Sequence, residues 1–299
     1  MSPGSSGPPP RSCSPASSSA GSWPRPATAR HRSTEATESV PANLLAELLA
    51  GSLADADTRR GERPFAALEA DALAQAPALD ALHALAPSDR VKIIAEVKRA
   101  SPSRGPLAEI TDPAALAVSY EFGGASAISV LTEGRRFLGS LEDLEQVRAS
   151  VSIPVLRKDF IGTAYQVLEA RAAGADLVLL IVAALDQATL GSLHRLVLEL
   201  GMTPLVETHS ADEVDRALDV GANLVGVNAR DLSTFELDQN LFASLADRIP
   251  SGVVRVAESA VKTAADVAHY RAAGADVVLV GEALVTSDPI LTLNEFLAV

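Results

Sequence analysis

A six-residue phrase, Arg-Ala-Ala-Gly-Ala-Asp, occurs twice in the chain, at residues 171–176 and 271–276. Each copy ends a stretch with helical periodicity, turns at its glycine and leads into an apolar run. Weaker copies lie at residues 122–125 and 220–223. A repeated order of helix, glycine turn and buried strand indicates stacked βα units.

Apolar runs of this kind predict eight strands, at residues 91–98, 127–132, 154–159, 176–182, 203–209, 223–230, 253–259 and 276–282. They are almost continuously apolar, as buried parallel strands are, and the helical periodicity between them predicts crossover helices. Eight such strands close a parallel barrel. The sequence therefore predicts an α/β fold, a (β/α)₈ TIM barrel with an N-terminal helical extension. A doubly wound open sheet is the alternative, but it usually has fewer strands and leaves edges.

Composition separates the two ends of the chain. Residues 43–299 have the length of one barrel domain, and the chain is 47% hydrophobic, which is enough to fill its core. Residues 1–42 are rich in Ser, Pro and Gly and have no acidic residue before Glu35. They predict a disordered tail, and targeting to an organelle by that tail stays open beside an inert extension.

Residues 43–87 predict one or two amphipathic helices ahead of the first strand. Leu44, Leu48, Phe65 and Leu68 are among their candidate apolar positions. These helices could cover the bottom of the barrel or lie near its mouth.

Several classes of protein are disfavoured. The net charge of −13 argues against a general nucleic-acid-binding surface, and no apolar run is long enough for a membrane span or signal sequence, which predicts a soluble, cytoplasmic protein. The single cysteine, Cys13, lies in the predicted tail, and the five histidines are scattered, so no metal site is predicted. An anionic ligand would then need a local cationic pocket.

Charged and polar residues recur where the predicted strands end. They are Glu96, Lys98, Lys158, Asp159, Glu207, His209, Asn228, Arg230, Glu258 and Ser259. In barrels, the loops at the carboxyl ends of the strands build the active site. An ordinary ion pair explains any one of these residues equally well. Burying the whole set without a ligand would be costly, so together they indicate a functional site.

Lysine usage supports a site that transfers protons. Of 25 basic residues only four are lysines, Lys92, Lys98, Lys158 and Lys262, and two of these, Lys98 and Lys158, fall at predicted strand ends. Arginine stays protonated, whereas burial and neighbouring charge can lower the pKa of a lysine. A site that needs a proton donor would retain lysine.

Three loops have features of a phosphate site. Residues 101–105 follow the first strand, Ser259 and Ala260 follow the seventh, and Gly281 follows the eighth. The loops after the last two strands commonly hold phosphate in this architecture. Taken singly, each of these three loops also has the composition of an ordinary turn.

The successive segments 94–103, 154–160, 205–207, 226–232 and 257–259 closely resemble the motifs of indole-3-glycerol phosphate synthase. The resemblance extends from about residue 44 to the C-terminus. The first two motifs are long and distinctive, and all of them occur in order on the predicted strands.

The resemblance implies a lyase of tryptophan biosynthesis. Such an enzyme closes the indole ring of 1-(2-carboxyphenylamino)-1-deoxyribulose 5-phosphate with loss of carbon dioxide and water. The family uses no cofactor and no metal. An association with other tryptophan-pathway enzymes stays open.

The resemblance also implies a role for each matching residue. Lys158 would be the general acid for ring closure and Glu207 its acid/base partner in dehydration. Lys98 would hold the negative charge of the substrate, while Glu96 and Glu258 would fix the lysines. The remaining candidates would bind polar and anionic groups (Asn228, Arg230), the phosphate (Ser101, Ser259, Ala260, Gly281, Glu282) and the aromatic ring (Leu131, Phe137, Phe160, Leu232).

One residue departs from the family pattern, since Ala260 stands where the family usually has glycine. Its methyl group predicts weaker phosphate binding, because it could crowd the anion or demand a backbone torsion that suits glycine.

Two other functions compete with this interpretation. A phosphoribosyl isomerase barrel is disfavoured by the paired Lys98 and Lys158, and an inactive barrel that binds a phosphorylated metabolite is disfavoured by the complete catalytic set.

Overall fold

The computed structural model describes residues 44–231, 234 and 236–299. The predicted tail at residues 1–42, with Cys13, and the candidate ring contact Leu232 lie outside the described residues.

Eight parallel strands form a closed barrel in the order β1-β8-β7-β6-β5-β4-β3-β2, which confirms the predicted fold. Their bounds are β1 Lys92–Val97, β2 Ala127–Leu131, β3 Val155–Lys158, β4 Leu177–Ile181, β5 Thr203–Thr208, β6 Leu224–Asn228, β7 Val254–Glu258 and β8 Val277–Val280. Each strand lies inside its predicted range. The prediction ran too far at the end of β8, where Glu282 begins a helix.

Helices precede the barrel and connect its strands. They are α1 Leu44–Glu62, α2 Phe65–Ala74, α3 Ala81–Ala84, α4 Pro113–Phe122, α5 Leu141–Ser150, α6 Ala164–Ala172, α7 Gln187–Glu199, α8 Ala211–Asp219, α9 Leu241–Leu245, α10 Ala264–Ala272, α11 Glu282–Val285 and α12 Pro289–Leu297. Side-chain caps begin many of them. In α6, Thr163 and Gln166 form a reciprocal capping box, which satisfies backbone N–H groups at the helix start.

The core has an inner and an outer layer because neighbouring residues of a strand face opposite ways. On β4, Leu177, Leu179 and Ile181 belong to the cluster inside the barrel, whereas Val178 and Leu180 pack against the surrounding helices. This alternation turns alternate residues at each strand end toward the barrel mouth.

The repeated phrase is a structural device at the bottom of the barrel. Gly174 and Gly274 have φ angles of +86° and +93°, which glycine adopts without steric cost. The carboxylate of Asp176 accepts the backbone N–H of Val155 at 2.9 Å, and Asp276 accepts that of Arg255 at 2.9 Å. Each copy therefore ties the beginning of one strand to the beginning of its neighbour.

The N-terminal extension reaches both ends of the barrel, so both predicted locations are occupied. From α1, Ser52 donates to Asp159 just after β3, at the mouth. Before α3, the backbone N–H of Leu79 donates to Asp176 at the bottom. Phe65, predicted to be part of an apolar face, is 37% exposed because it begins α2 on the solvent side.

None of the helices described by the structure is long and apolar enough to cross a membrane.

Candidate active site

A cavity of about 1060 Å³, counting the space that opens to solvent, lies at the carboxyl ends of the strands. Every site residue that the family resemblance implies within the described part of the chain lines it: Glu96, Lys98, Ser101, Leu131, Phe137, Lys158, Phe160, Glu207, Asn228, Arg230, Glu258, Ser259, Ala260, Gly281 and Glu282. Strand register brings these residues together from distant parts of the sequence. Their individual roles stay predictions.

The ammonium group of Lys158 lies between two buried carboxylates. Its Nζ atom is 3.2 Å from Glu207 Oε2 and 3.5 Å from Glu258 Oε2. The three side chains come from β3, β5 and the end of β7. Gly226 on β6 makes this possible, because a Cβ atom there would lie 2.1 Å from Glu258 Oε1.

A second pair occupies the end of β1, where Lys98 Nζ lies 2.6 Å from Glu96 Oε2. Gly281 faces this pair. A Cβ atom at Gly281 would lie 2.4 Å from Glu96 Oε2 and 2.9 Å from Lys98 Nζ. The glycine predicted to approach an anion thus also makes room for the carboxylate and the lysine.

Asn228 connects three parts of the cavity. Its Nδ2 donates to Glu207 Oε1 at 3.0 Å, while its Oδ1 accepts the backbone N–H of Arg230 at 3.0 Å and the Ser259 hydroxyl at 2.8 Å. These bonds hold Glu207 in one orientation. Because Asn228 donates to Oε1 of Glu207, the other carboxylate oxygen, Oε2, faces Lys158.

The pKa values of the buried ionisable groups shift in different directions. Burial alone lowers the pKa of Lys158, but Glu207, Glu258 and Glu96 outweigh it and raise that pKa above its ordinary value. This reverses the direction expected from the sequence, because the carboxylates outnumber the lysine. Burial opposes ionisation of Glu207, yet Lys158, His209 and Asn228 hold its pKa below the usual range. Burial and the charge of Glu207 raise the pKa of Glu258. The cluster thus contains a protonated lysine, an ionised glutamate and a carboxyl group whose ionisation burial opposes.

Cations and a strained turn lie on one side of the cavity. Ser259 and Ala260 have φ angles of +69° and +58°, in the left-handed region. Arg104 pairs with Glu282 across the mouth, and it lies close enough to Arg230 to lower that residue's pKa, after burial has lowered it more. Lys262 also lines the cavity, so three of the four lysines do. The sequence predicted only Lys98 and Lys158 at the site, because Lys262 lies in the loop beyond β7 and no pattern predicted the path of that loop.

The opposite side is apolar. The rings of Phe137 and Phe160 lie 6.1 Å apart with an angle of 43° between their planes. Glu133 anchors the loop that carries Phe137, because its carboxylate accepts the backbone N–H groups of Arg135, Arg136 and Phe137. Leu179 and Ile181 extend this wall and were missed as site residues, because their pattern is also that of an ordinary inner core.

Arg157 and Asp159, the two sequence neighbours of Lys158, form a buried ion pair. Arg157 Nη2 lies 2.9 Å from Asp159 Oδ2, and Asp159 also accepts the hydroxyl groups of Ser52 and Thr132. Arg157 is fully buried. The lysine is therefore held by a rigid polar layer on both sides along the chain.

In the described ranges, no group of His, Cys, Asp and Glu side chains has the arrangement of a metal site.

Comparison with known proteins assigns the chain to a family. The family model for indole-3-glycerol phosphate synthase matches residues 45–295. The indole-3-glycerol phosphate synthase of Leifsonia xyli subsp. xyli is 75% identical over 257 residues, covering 86% of this chain and 99% of the relative. That of Mycobacteroides abscessus is 58% identical over 247 residues, covering 82% and 90%.

Among solved structures, an N-acetylmannosamine-6-phosphate 2-epimerase from Clostridium perfringens superposes with a TM-score of 0.51 at 16% identity. The match covers 64% of this chain and 86% of the epimerase. At this identity the likeness concerns the fold alone. The family model and the extent of identity to the curated relatives establish that the chain belongs to the indole-3-glycerol phosphate synthase family.

Proposed function

We propose that this cavity closes the indole ring of 1-(2-carboxyphenylamino)-1-deoxyribulose 5-phosphate, releasing carbon dioxide and water. The observation that carries the proposal is the Lys158 ammonium, held 3.2 Å from Glu207 and 3.5 Å from Glu258 beside an apolar wall. The family assignment supports the reaction, and the cavity supplies groups suited to each step. The product belongs to tryptophan biosynthesis.

In this proposal the substrate lies across the mouth. Phe137, Phe160 and Leu131 contact its aromatic ring, with Leu232 a further predicted contact outside the described residues. The phosphate lies by Ser101, Ser259 and the backbone at Ala260, Gly281 and Glu282, where Lys262 adds a cation. Lys98 and Arg230 face the anionic carboxylate, because a charged donor forms a strong hydrogen bond with a carboxylate.

Ring closure needs a proton donor at the ketone oxygen. The ring carbon that bears the carboxylate attacks the ketone carbon, and the Lys158 ammonium transfers a proton to the oxygen, which becomes a hydroxyl. The carboxylate leaves as carbon dioxide, and its bonding electrons restore the aromatic ring. A positioned general acid typically contributes about 10²–10⁴-fold to the rate.

Dehydration then needs an acid and a base. The new hydroxyl leaves with a proton as water, and a proton leaves the carbon beside nitrogen to form the pyrrole double bond. Glu207 serves this step as acid/base partner, and Glu258 holds Lys158 in place. Because the carboxylate leaves as neutral carbon dioxide, the reaction consumes one proton, and Lys158 recovers its proton from solvent.

The test is an assay of the purified protein with this substrate, followed by indole fluorescence. Lys158→Ala should lower kcat at least about 100-fold while a substrate analogue still binds. Lys92→Ala is the matched control, since Lys92 begins β1 at the opposite end of the barrel. Wild-type protein that binds the analogue without turnover would instead indicate an inactive binding barrel.

Two further proposals follow from the family. The enzyme acts in the cytoplasm, since its charged sugar phosphate substrate does not cross membranes unaided; cell fractionation tests this. An association with other tryptophan-pathway enzymes is tested by co-purification from the native cells.

A further inference from the structure

His209 lies directly after β5, with its imidazole between two carboxylates. Its Nε2 atom is 3.4 Å from Glu207 Oε1, and its Nδ1 atom is 3.2 Å from Glu213 Oε2. The same Glu213 oxygen accepts the backbone N–H of His209 at 2.8 Å. Since Glu213 lies in the first turn of α8, the beginning of that helix fixes the orientation of the ring.

The two contacts favour a particular protonation state. Nδ1 is hydrogen-bonded to Glu213, and an ionised carboxylate accepts hydrogen bonds and donates none, so Nδ1 carries a proton. Nε2 lies within ion-pair distance of Glu207 without a hydrogen bond, and the negative charge on both sides of the ring favours the imidazolium. Burial alone lowers the pKa of His209, but Glu207 and Glu213 raise it to about 10. The ring is therefore charged at neutral pH.

The imidazole is outside the set of residues that line the cavity. The imidazole faces Glu207 of β5 and Glu213 of α8. Glu207 in turn contacts Lys158 of β3 and Asn228 of β6. Any effect on the reaction must then pass through Glu207.

We propose that His209 is a positioning residue for the ring-closing reaction, whose imidazolium holds Glu207 Oε1 in place and keeps Glu207 ionised while Oε2 faces Lys158. The inference rests on the proposed function, in which Glu207 transfers protons. The sequence marked His209 as a polar strand-end residue and assigned it no role, because its two partners belong to different elements.

The proposal predicts a change in pH dependence. An opposite charge within about 4–6 Å lowers the pKa of a carboxyl group by about 1–3 units, so removing the imidazolium should raise the pKa of Glu207. Its ionised form then disappears at a higher pH as the solution is acidified. The acidic limb of the kcat profile should move upward by about one unit or more, which lowers kcat about tenfold on that limb.

The experiment measures kcat and KM from acidic to alkaline pH for wild type, His209→Ala and His209→Gln. Turnover by the wild type tests the proposed function first and separately. His209→Ala should show the displaced limb with KM changed less than about twofold, because the ring acts through Glu207. His209→Gln restores an N–H donor without the charge, so kcat should recover at alkaline pH while the limb stays displaced.

His194→Gln is the matched control, since His194 is a buried histidine of α7 that does not line the cavity. It should keep the wild-type limb. If His209→Ala does not fold, His209→Gln decides the matter by the same readout. An acidic limb that stays in place in the folded variants, or an effect confined to KM, would overturn the proposal.

Discussion

Ala260 adopts a backbone conformation that is costly for it, with φ at +58°. The left-handed region costs an L-residue about 1–2 kcal/mol, whereas glycine adds about 0.4–1 kcal/mol of conformational entropy to the unfolded chain. Ala260→Gly should therefore stabilise the protein by up to about 1 kcal/mol. It should also lower KM, because the methyl group no longer stands beside the proposed phosphate position.

Denaturant unfolding and steady-state kinetics test this prediction. Ala264→Gly, at the beginning of α10, is the control for losing a nearby methyl group from ordinary helical backbone. It should be destabilised by up to about 1 kcal/mol with KM unchanged. An unchanged or higher KM in Ala260→Gly would show that the methyl group does not weaken phosphate binding.

Gly226 makes room for the cluster of Lys158, Glu207 and Glu258. A Cβ atom there would lie 2.1 Å from Glu258 Oε1 and 3.2 Å from its Cδ, so the carboxylate would have to move. Gly226→Ala should displace Glu258 and with it Lys158, lowering kcat by about 10²-fold, since a shift of about 1 Å in a reacting group can cost that much. Gly61→Ala is the control, because a Cβ atom added at this position of α1 would meet nothing within 4 Å, and it should leave kcat unchanged. Equal kinetics in the two variants would contradict the argument.

At the scale of elements, α1 shows what sequence patterns leave undetermined. The apolar spacing of Leu44 and Leu48 correctly predicted a buried helix face. It could not predict which end of the barrel that face would cover, because an apolar stripe has no preference among apolar surfaces. Polar contacts decide the location: Ser52 reaches Asp159, and Asp55 reaches Arg135 in the loop after β2. Neither contact has a periodic signature.

Ser52 should therefore be important for stability and for the placement of Lys158. Its hydroxyl donates to Asp159 at 3.0 Å and accepts from Gln166 at 2.9 Å, in a fully packed environment. In Ser52→Ala, Asp159 and Gln166 each lose one hydrogen bond. The free energy of unfolding should fall by about 1–3 kcal/mol and kcat should fall severalfold. Urea unfolding and kinetics measure the two effects.

Ser192→Ala is the control on an exposed surface, since its hydroxyl donates to the Ala188 carbonyl within α7. Its stability should change by less than about 0.5 kcal/mol. A loss of stability in Ser52→Ala with no effect on kcat would confine α1 to a structural role.

At the scale of the molecule, the barrel and its site were predictable for one physical reason. Buried parallel strands are nearly uniformly apolar, so polar residues stand out where the strands end, and closure of the barrel brings those ends together. Lys158 and Glu207, 49 residues apart in sequence, meet in this way. Contacts made by loops and helix termini, such as Lys262 and the Glu213–His209 pair, depend on chain paths that no short-range pattern encodes.

The same architecture separates stability from catalysis between the two ends of the barrel. Asp176, at the bottom, accepts the backbone N–H groups of Leu79 and Val155 at 2.7 and 2.9 Å and pairs with Arg148 at 2.5 Å. Asp176→Ala leaves these donors unpaired and should lower the free energy of unfolding by about 3–5 kcal/mol. Because the proposed substrate site lies at the other end, kcat/KM of the folded variant should equal that of the wild type.

Lys158→Ala should behave in the opposite way, losing turnover while remaining folded. Thermal unfolding followed by kinetics well below the lower Tm compares the two variants. A loss of kcat in Asp176→Ala at a temperature where it is fully folded would mean that the bottom of the barrel is coupled to the mouth. The repeated phrase would then contribute to catalysis as well as to folding.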